Sequence, residues 1–305
     1  MPVDLARYRP FNGQLRPRTG AWRVIATTAI RRVMRRYWIR MITSAIVLIN
    51  VGAASIMTYF VNAGIMKGAS ISDMAESQGF GAIDSLGLSL GVTLVFVGVW
   101  APLIASLTVA PLIAEDRRAR ALPLYFCRPI RHLDYLMGKM MAGLFFLFLI
   151  LLLPAVFVLA VDLAYATEEI QWASRLRLTA GVMLPLAALT LVLTLFSLAV
   201  SSLLERKNAA SLTVFGGLFM VGAVSGILMP LFGSPAWMAI NPVAAAQAIG
   251  TDALPALPTA GISLPSVKSE IALIPVGAAW ASLAAWGAVS AIVLFWRIRK
   301  VEVVQ

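Results

Sequence analysis

The chain has 305 residues, of which 60 % are hydrophobic and only 13 % charged, with a mean hydropathy of +0.86. A soluble domain of this size carries roughly a quarter charged residues to cover its surface. The composition therefore excludes an ordinary soluble globule and places much of the surface in lipid. No polar block is long enough to fold separately, and the net charge of +11 has to be located before it is read as an affinity for nucleic acid. A single cysteine, Cys127, excludes an internal disulfide and a multi-cysteine metal site.

Residues 1–40 carry ten Arg and one Asp. Through Gly20 this segment is rich in Pro, Gly and Arg and predicts no regular structure. Over residues 21–38, Trp22, Ile25, Ala26, Ala29, Val33 and Tyr37 gather on one helical face, with Arg31 and Arg35 opposite and Arg32 on the flank. That pattern predicts an amphipathic helix lying in the membrane interface, its basic residues toward anionic headgroups. Arg36 and Arg40 fall near the apolar side and fit it less well. A charged lead of forty residues is too long for a cleaved signal peptide.

A hydrocarbon core of about 30 Å needs roughly 20 apolar residues as helix. Residues 41–60, 88–114, 140–161, 178–204, 212–232 and 273–296 meet that need. Backbone groups in lipid must be bonded internally, so these six spans are expected as helices. Prolines 102, 111, 154, 185, 230 and 275 should kink them or end local turns. The segment 237–249 lies among prolines between spans five and six and is too short to cross, so it reads as a short interfacial or re-entrant helix pair.

All but four of the basic residues (Lys67, Arg175, Arg177 and Lys268) lie in the N-terminal segment, the 115–139 connector, the turn at Glu205-Arg206-Lys207 and the C-terminal tail. Six spans put all of these on one side. By the positive-inside rule that side is cytoplasmic and holds both termini. The basic excess thus reports topology rather than a nucleic-acid surface. The connector is the most charged loop, with six basic residues, three acids and the single histidine, His132, broken by Pro123 and Pro129. Its mixture of signs suits a surface offered to a partner protein.

Catalytic chemistry finds little support. There is no HExxH, and one histidine builds no metal cluster. Gly138-Lys139 resembles the end of a phosphate-binding loop, but the earlier Gly and the following Ser or Thr are absent. The expected spans contain no ionisable residue, whereas a proton- or ion-coupled carrier needs them there. Movement driven from outside the chain is the more economical reading.

The arrangement of six spans, an interfacial N-terminal helix and a charged connector after span two resembles the permease of an ABC type-2 exporter. The residues that carry the likeness are Glu115, Leu122, Arg128-Pro129, Arg131 and Gly138-Lys139, with Ser201-Ser202-Leu203-Leu204 and Glu205-Arg206-Lys207 at the end of span four. Ala119-Arg120-Ala121 stands where that family usually has Gly-Thr after the acid. The resemblance implies an all-α integral membrane protein of the ABC type-2 exporter permease fold. Residues 1–40 would be a cytoplasmic segment and 41–305 a six-span permease domain. Two chains would pair as a homodimer in a bacterial inner membrane, each docking a cytosolic ABC ATPase subunit that holds ATP and Mg. This chain would carry no cofactor, metal or catalytic site.

The connector would include the coupling helix, with Glu115, Asp116, Arg117, Arg118, Arg120, Leu122, Arg128 and Arg131 as the ATPase-coupling residues. Spans two and five would line the path. On span five, Gly222 and Gly226 lie four apart on one face, so close packing against another helix, of this chain or of a second copy, is expected there. The resemblance places these glycines, with Phe215 and Phe219, at the dimer interface and pathway. A related permease that passes motion to an extracytoplasmic partner, and a secondary transporter, are the alternative readings. Any cargo is expected to be apolar or amphipathic, since the spans hold no charge.

Overall fold

The computed structural model describes residues 20–62, 85–119, 132–165, 172–254 and 273–302. In chain order these form α1 (Ala21–Met34), α2 (Tyr37–Asn62), α3 (Ser85–Ile104), a π-helical segment (Ala105–Val109), α4 (Pro111–Arg118), α5 (His132–Leu151) and α6 (Leu153–Tyr165). There follow α7 (Trp172–Leu203), α8 (Lys207–Phe232), a 3-10 turn (Pro235–Ile240), α9 (Pro242–Asp252) and α10 (Val276–Glu302). No strand occurs among the described residues. Six stretches are long and apolar enough to cross a membrane: Tyr37–Ile56, Ser89–Arg118, Leu133–Ala164, Trp172–Leu203, Lys207–Phe232 and Val276–Arg297.

Proline divides two of these spans. Pro111 has no amide to donate, and the helix before it opens to i→i+5 bonding, so that the Ala110 amide reaches the Ala105 carbonyl at 3.1 Å. A new helix, α4, then begins with Pro111 in its first position. Side chains take up backbone carbonyls there: the Ser106 hydroxyl donates to Leu103 O and Thr108 to Ile104 O, both at 2.7 Å. Pro154 similarly follows the break at Leu152 that separates α5 from α6. Pro102, Pro185 and Pro230 lie inside helices without ending them.

The core sits around α7. Among the six spans α7 is the most buried within the chain, and α8, α2 and α10 are the least. α7 packs on α4, α5, α9 and α10. Its buried Thr190 and Thr194 donate back to the carbonyls one turn earlier, so these polar groups cost little in lipid. The outer helices α2, α8 and α10 expose Leu48, Leu212, Phe219, Leu231, Val289 and Ile292, as lipid-facing or partner-facing helices do.

The segment between α8 and α10 holds a short 3-10 turn followed by a helix, where an interfacial or re-entrant helix pair was expected. The Asn241 side chain accepts from the Val243 amide and starts α9, which buries Val243, Ala245, Ala246 and Ile249 among α3, α7 and α10. Gln247 Nε2 donates to Leu94 O and Trp286 Nε1 to Ile240 O, each at 2.8 Å, which pins the turn and the helix to spans two and six.

The N-terminal helix differs from expectation. It stops at Met34 instead of running through Trp38, and Tyr37 and Trp38 already belong to span one, both well exposed. Its apolar face (Ile25, Ala26, Ala29, Val33) is buried against α5. Gly138 makes that approach possible. A Cβ at Gly138 would lie 2.7 Å from Ile25 Cβ and 2.9 Å from the Trp22 carbonyl oxygen. A methyl group cannot be fitted there without moving the α1 backbone. We therefore expect Gly138→Ala to lower stability by about 1–3 kcal/mol, the usual cost of overpacking. It should speed proteolysis within α1 in detergent. A melting temperature and cleavage rate equal to those of the native chain would contradict the close packing of α1 on α5.

Candidate functional site at the charged elbow

Spans expected to be free of ionisable groups are longer in the structure, and their added turns bring charge into the bundle. α4 carries the second span through Glu115, Asp116 and Arg117, and α5 starts the third span seven residues before Lys139. Asp116 and Lys139 are both buried, with side chains 2 % and 4 % exposed. They form an ion pair with Lys139 Nζ 2.6 Å from Asp116 Oδ2.

Two isolated charges in such a place would cost several kcal/mol each, and only full hydrogen bonding offsets that. The site supplies it. Asp116 Oδ2 also accepts from the Tyr135 hydroxyl, and Oδ1 from Arg32 Nη1, both at 3.0 Å. Lys139 donates a second bond to the Leu112 carbonyl at 2.9 Å and lies 5.6 Å from the Tyr135 ring centroid. One carboxylate on α4 thus gathers a cation from α1 and two donors from α5.

The neighbouring residues extend the fastening. Glu115 pairs with Arg36, at the turn between α1 and span one. Arg117 points the other way, donating to the Ser202 carbonyl at 2.6 Å and reaching Glu205 at 3.2 Å. Glu205 is largely exposed, so that last pair adds little by itself. The Ser201 hydroxyl accepts from the Ile113 and Ala114 amides at 3.2 and 2.9 Å. The elbow helix is thereby tied to α1, α5 and α7 together.

Of the residues expected to face a partner, the structure turns Asp116 fully inward and commits Glu115 and Arg117 to pairs within the chain. Only Arg118 is exposed and makes no ion pair among the described residues. Arg120, Leu122, Arg128 and Arg131 lie outside the described residues. Phe215, Phe219, Gly222 and Gly226 lie along one stripe of α8 and make none of the elbow's hydrogen bonds or ion pairs given above. The two rings stack with centroids 6.4 Å apart, and both are exposed. A Cβ at Gly222 would meet the Asn241 amide nitrogen at 3.2 Å, whereas Gly226 has nothing within 4 Å. Gly222 therefore has a neighbour in its own chain, and Gly226 has none among the described residues.

Arg32, Arg36, Tyr135, Lys139 and Ser201 are functional candidates that sequence reasoning did not single out as a site. A signal was present for Arg36, the poor fit on the apolar side of the 21–38 wheel, which the structure places in the turn after α1 and pairs with Glu115. Away from the elbow, Asp162 on α6 is also buried and pairs with Arg175 on α7.

A family model described as "ABC-2 family transporter protein" matches residues 23–293, from α1 into α10. No curated protein matches the chain.

Removing one member of a buried, bonded ion pair typically costs about 3–5 kcal/mol, because the other charge stays behind. Asp116→Asn should therefore cost far more melting temperature in detergent than Arg32→Gln, whose charge is half exposed. Asp116→Leu combined with Lys139→Met should recover much of the loss of either single change. Native-like melting of Asp116→Asn would contradict the buried pair.

Proposed function

The chain belongs to the ABC-2 transporter family, and from that premise we propose that it is the permease of an ATP-driven exporter, working as a pair of chains with a separate ATPase subunit docked on each. It is a multi-pass membrane protein. The basic end would face the cytoplasm, where nucleotide is held by the partner. The chain's own Gly138 and Lys139 are occupied with packing and ion pairing, so they serve the fold rather than a phosphate.

The observation that carries this reading is how α4 spends its charges. Glu115, Asp116 and Arg117 fasten it to α1, α5 and α7, and Arg118 is left outward at its end. A force applied at Arg118 and the 120–131 stretch would reach three helices at once. Motion of a docked ATPase would be passed into spans two, three and four without any energy source in this chain. Among the described spans the buried charges are paired, Asp116 with Lys139 and Asp162 with Arg175, and the other buried polar side chains are hydroxyls and the Asn50 amide. Such a path favours an apolar or amphipathic cargo.

Pairing of two chains would use α8. It is the least buried span, and its exposed stripe of Phe215, Phe219 and Gly226 combines flat rings with a close-approach position.

The test is reconstitution of the chain with its ATPase subunit in proteoliposomes. Arg118→Glu, which disturbs no described internal bond, should leave the melting temperature unchanged. It should weaken ATPase docking roughly tenfold, as reversal of an interface charge does, and lower permease-dependent ATP hydrolysis in proportion. Unchanged docking would remove the elbow from the contact. In the same preparation Gly226→Leu should insert and melt normally yet run as a monomer on gel filtration. A dimeric, active variant would place the interface elsewhere.

A further inference from the structure

α4 begins without a capping side chain of its own, because its N-cap residue is Ala110. The role falls to Ser201, 88 residues away in sequence from Ile113 and fully buried. Its hydroxyl oxygen receives the amides of both Ile113 and Ala114. An N-cap normally comes from the residue that opens the helix and holds that helix to itself. Here it comes from the end of α7 and holds two spans together. One turn further along α4, Arg117 takes the Ser202 carbonyl and Glu205. Two attachments at different heights along α4 resist both sliding and rotation against α7.

On its other side α4 is joined to α3 by the weakest backbone in the span. The π-helical segment Ala105–Val109 bonds i→i+5, and Pro111 donates nothing. A bend between α3 and α4 breaks fewer good hydrogen bonds there than a bend within either helix.

We propose that Ser201 is a positioning residue that locks the elbow helix α4 to the cytoplasmic end of α7, so that both swing as one lever about the π-helical segment of span two. This rests on the reading of the elbow as the point where an ATPase partner acts. Under it, the ATPase stroke moves the ends of spans two and four together and leaves the outer half of span two to follow through the hinge.

The experiment uses the full chain in a Cys127→Ser background, assembled with its ATPase subunit. Spin labels are placed at Ala119→Cys with Leu203→Cys, and separately at Ala119→Cys with Val99→Cys; all three sites are exposed. Distances are measured by electron resonance without nucleotide and with nucleotide trapped. The 119–203 distance should be the same in both states, while the 99–119 distance shifts. In Ser201→Ala the 119–203 distribution should broaden and become nucleotide-dependent, and amide exchange across residues 112–119 should rise about tenfold. Ser201→Thr, which keeps the hydroxyl, should restore both readouts, which loss of fold would not.

A 119–203 distance that changes with nucleotide in the Ser201 chain overturns the lever, even if Ser201→Ala fails to fold. An unchanged 99–119 distance, with the labelled complex still hydrolysing ATP, overturns the hinge. If the ATPase subunit does not assemble with the chain at all, the exporter reading fails, and the lever with it. Unaltered distributions and exchange in Ser201→Ala show that Ser201 positions nothing.

Discussion

Everything at the basic end of the bundle depends on one buried carboxylate. Asp116 sits where water cannot reach it, and its charge is tolerable only while Lys139, Tyr135 and Arg32 all keep their bonds to it. That requirement fixes the register of α4 against α5 and seats α1 across both. Gly138, one residue before Lys139, removes the Cβ that would hold α1 away. Packing and charge are thus satisfied at adjacent residues on the same turn of α5. Loosening either one would expose the other.

The same arrangement would let a helix of eight residues transmit force. α4 is too short to be stable by its own backbone bonds. Its rigidity is borrowed from the helices it touches: α5 through Lys139 and Tyr135, α1 through Arg32 and Arg36, and α7 through Ser201 and Arg117. A surface loop bearing the same charges would yield to a partner rather than pass its motion on. The π-helical segment and Pro111 mark the opposite property on the other side, a place where span two gives way. Stiffness and compliance are set next to each other in one span.

Much of the architecture was legible in the sequence, because lipid imposes a length and a composition that six runs of residues satisfy. The short helical segment between spans five and six was legible for the same reason, being apolar but too short to cross. The turns forced by Pro111 and Pro154 followed from their missing amides. The inner side of the elbow was not legible. A run such as Glu115-Asp116-Arg117-Arg118 reads as solvated surface, and nothing in the pattern says that Asp116 has a lysine waiting 23 positions later while Arg118 has no such partner among the described residues. A helical wheel shows that α1 has an apolar face but not whether lipid or α5 covers it. Ser201 stood out only as part of the motif at the end of span four, with no sign of what its hydroxyl meets. Its partners are backbone amides, which leave no mark on the sequence.

In the proposed arrangement the outward end of the elbow meets the ATPase while its acids look inward. The most direct measurement places a photoreactive phenylalanine analogue at position 118 of the otherwise native chain, co-expressed with its ATPase subunit, and analyses the adducts formed on irradiation of intact membranes. The account predicts a covalent adduct with the ATPase subunit that depends on assembly of the complex. Adducts with lipid alone, with the ATPase subunit demonstrably bound to the chain, would contradict it.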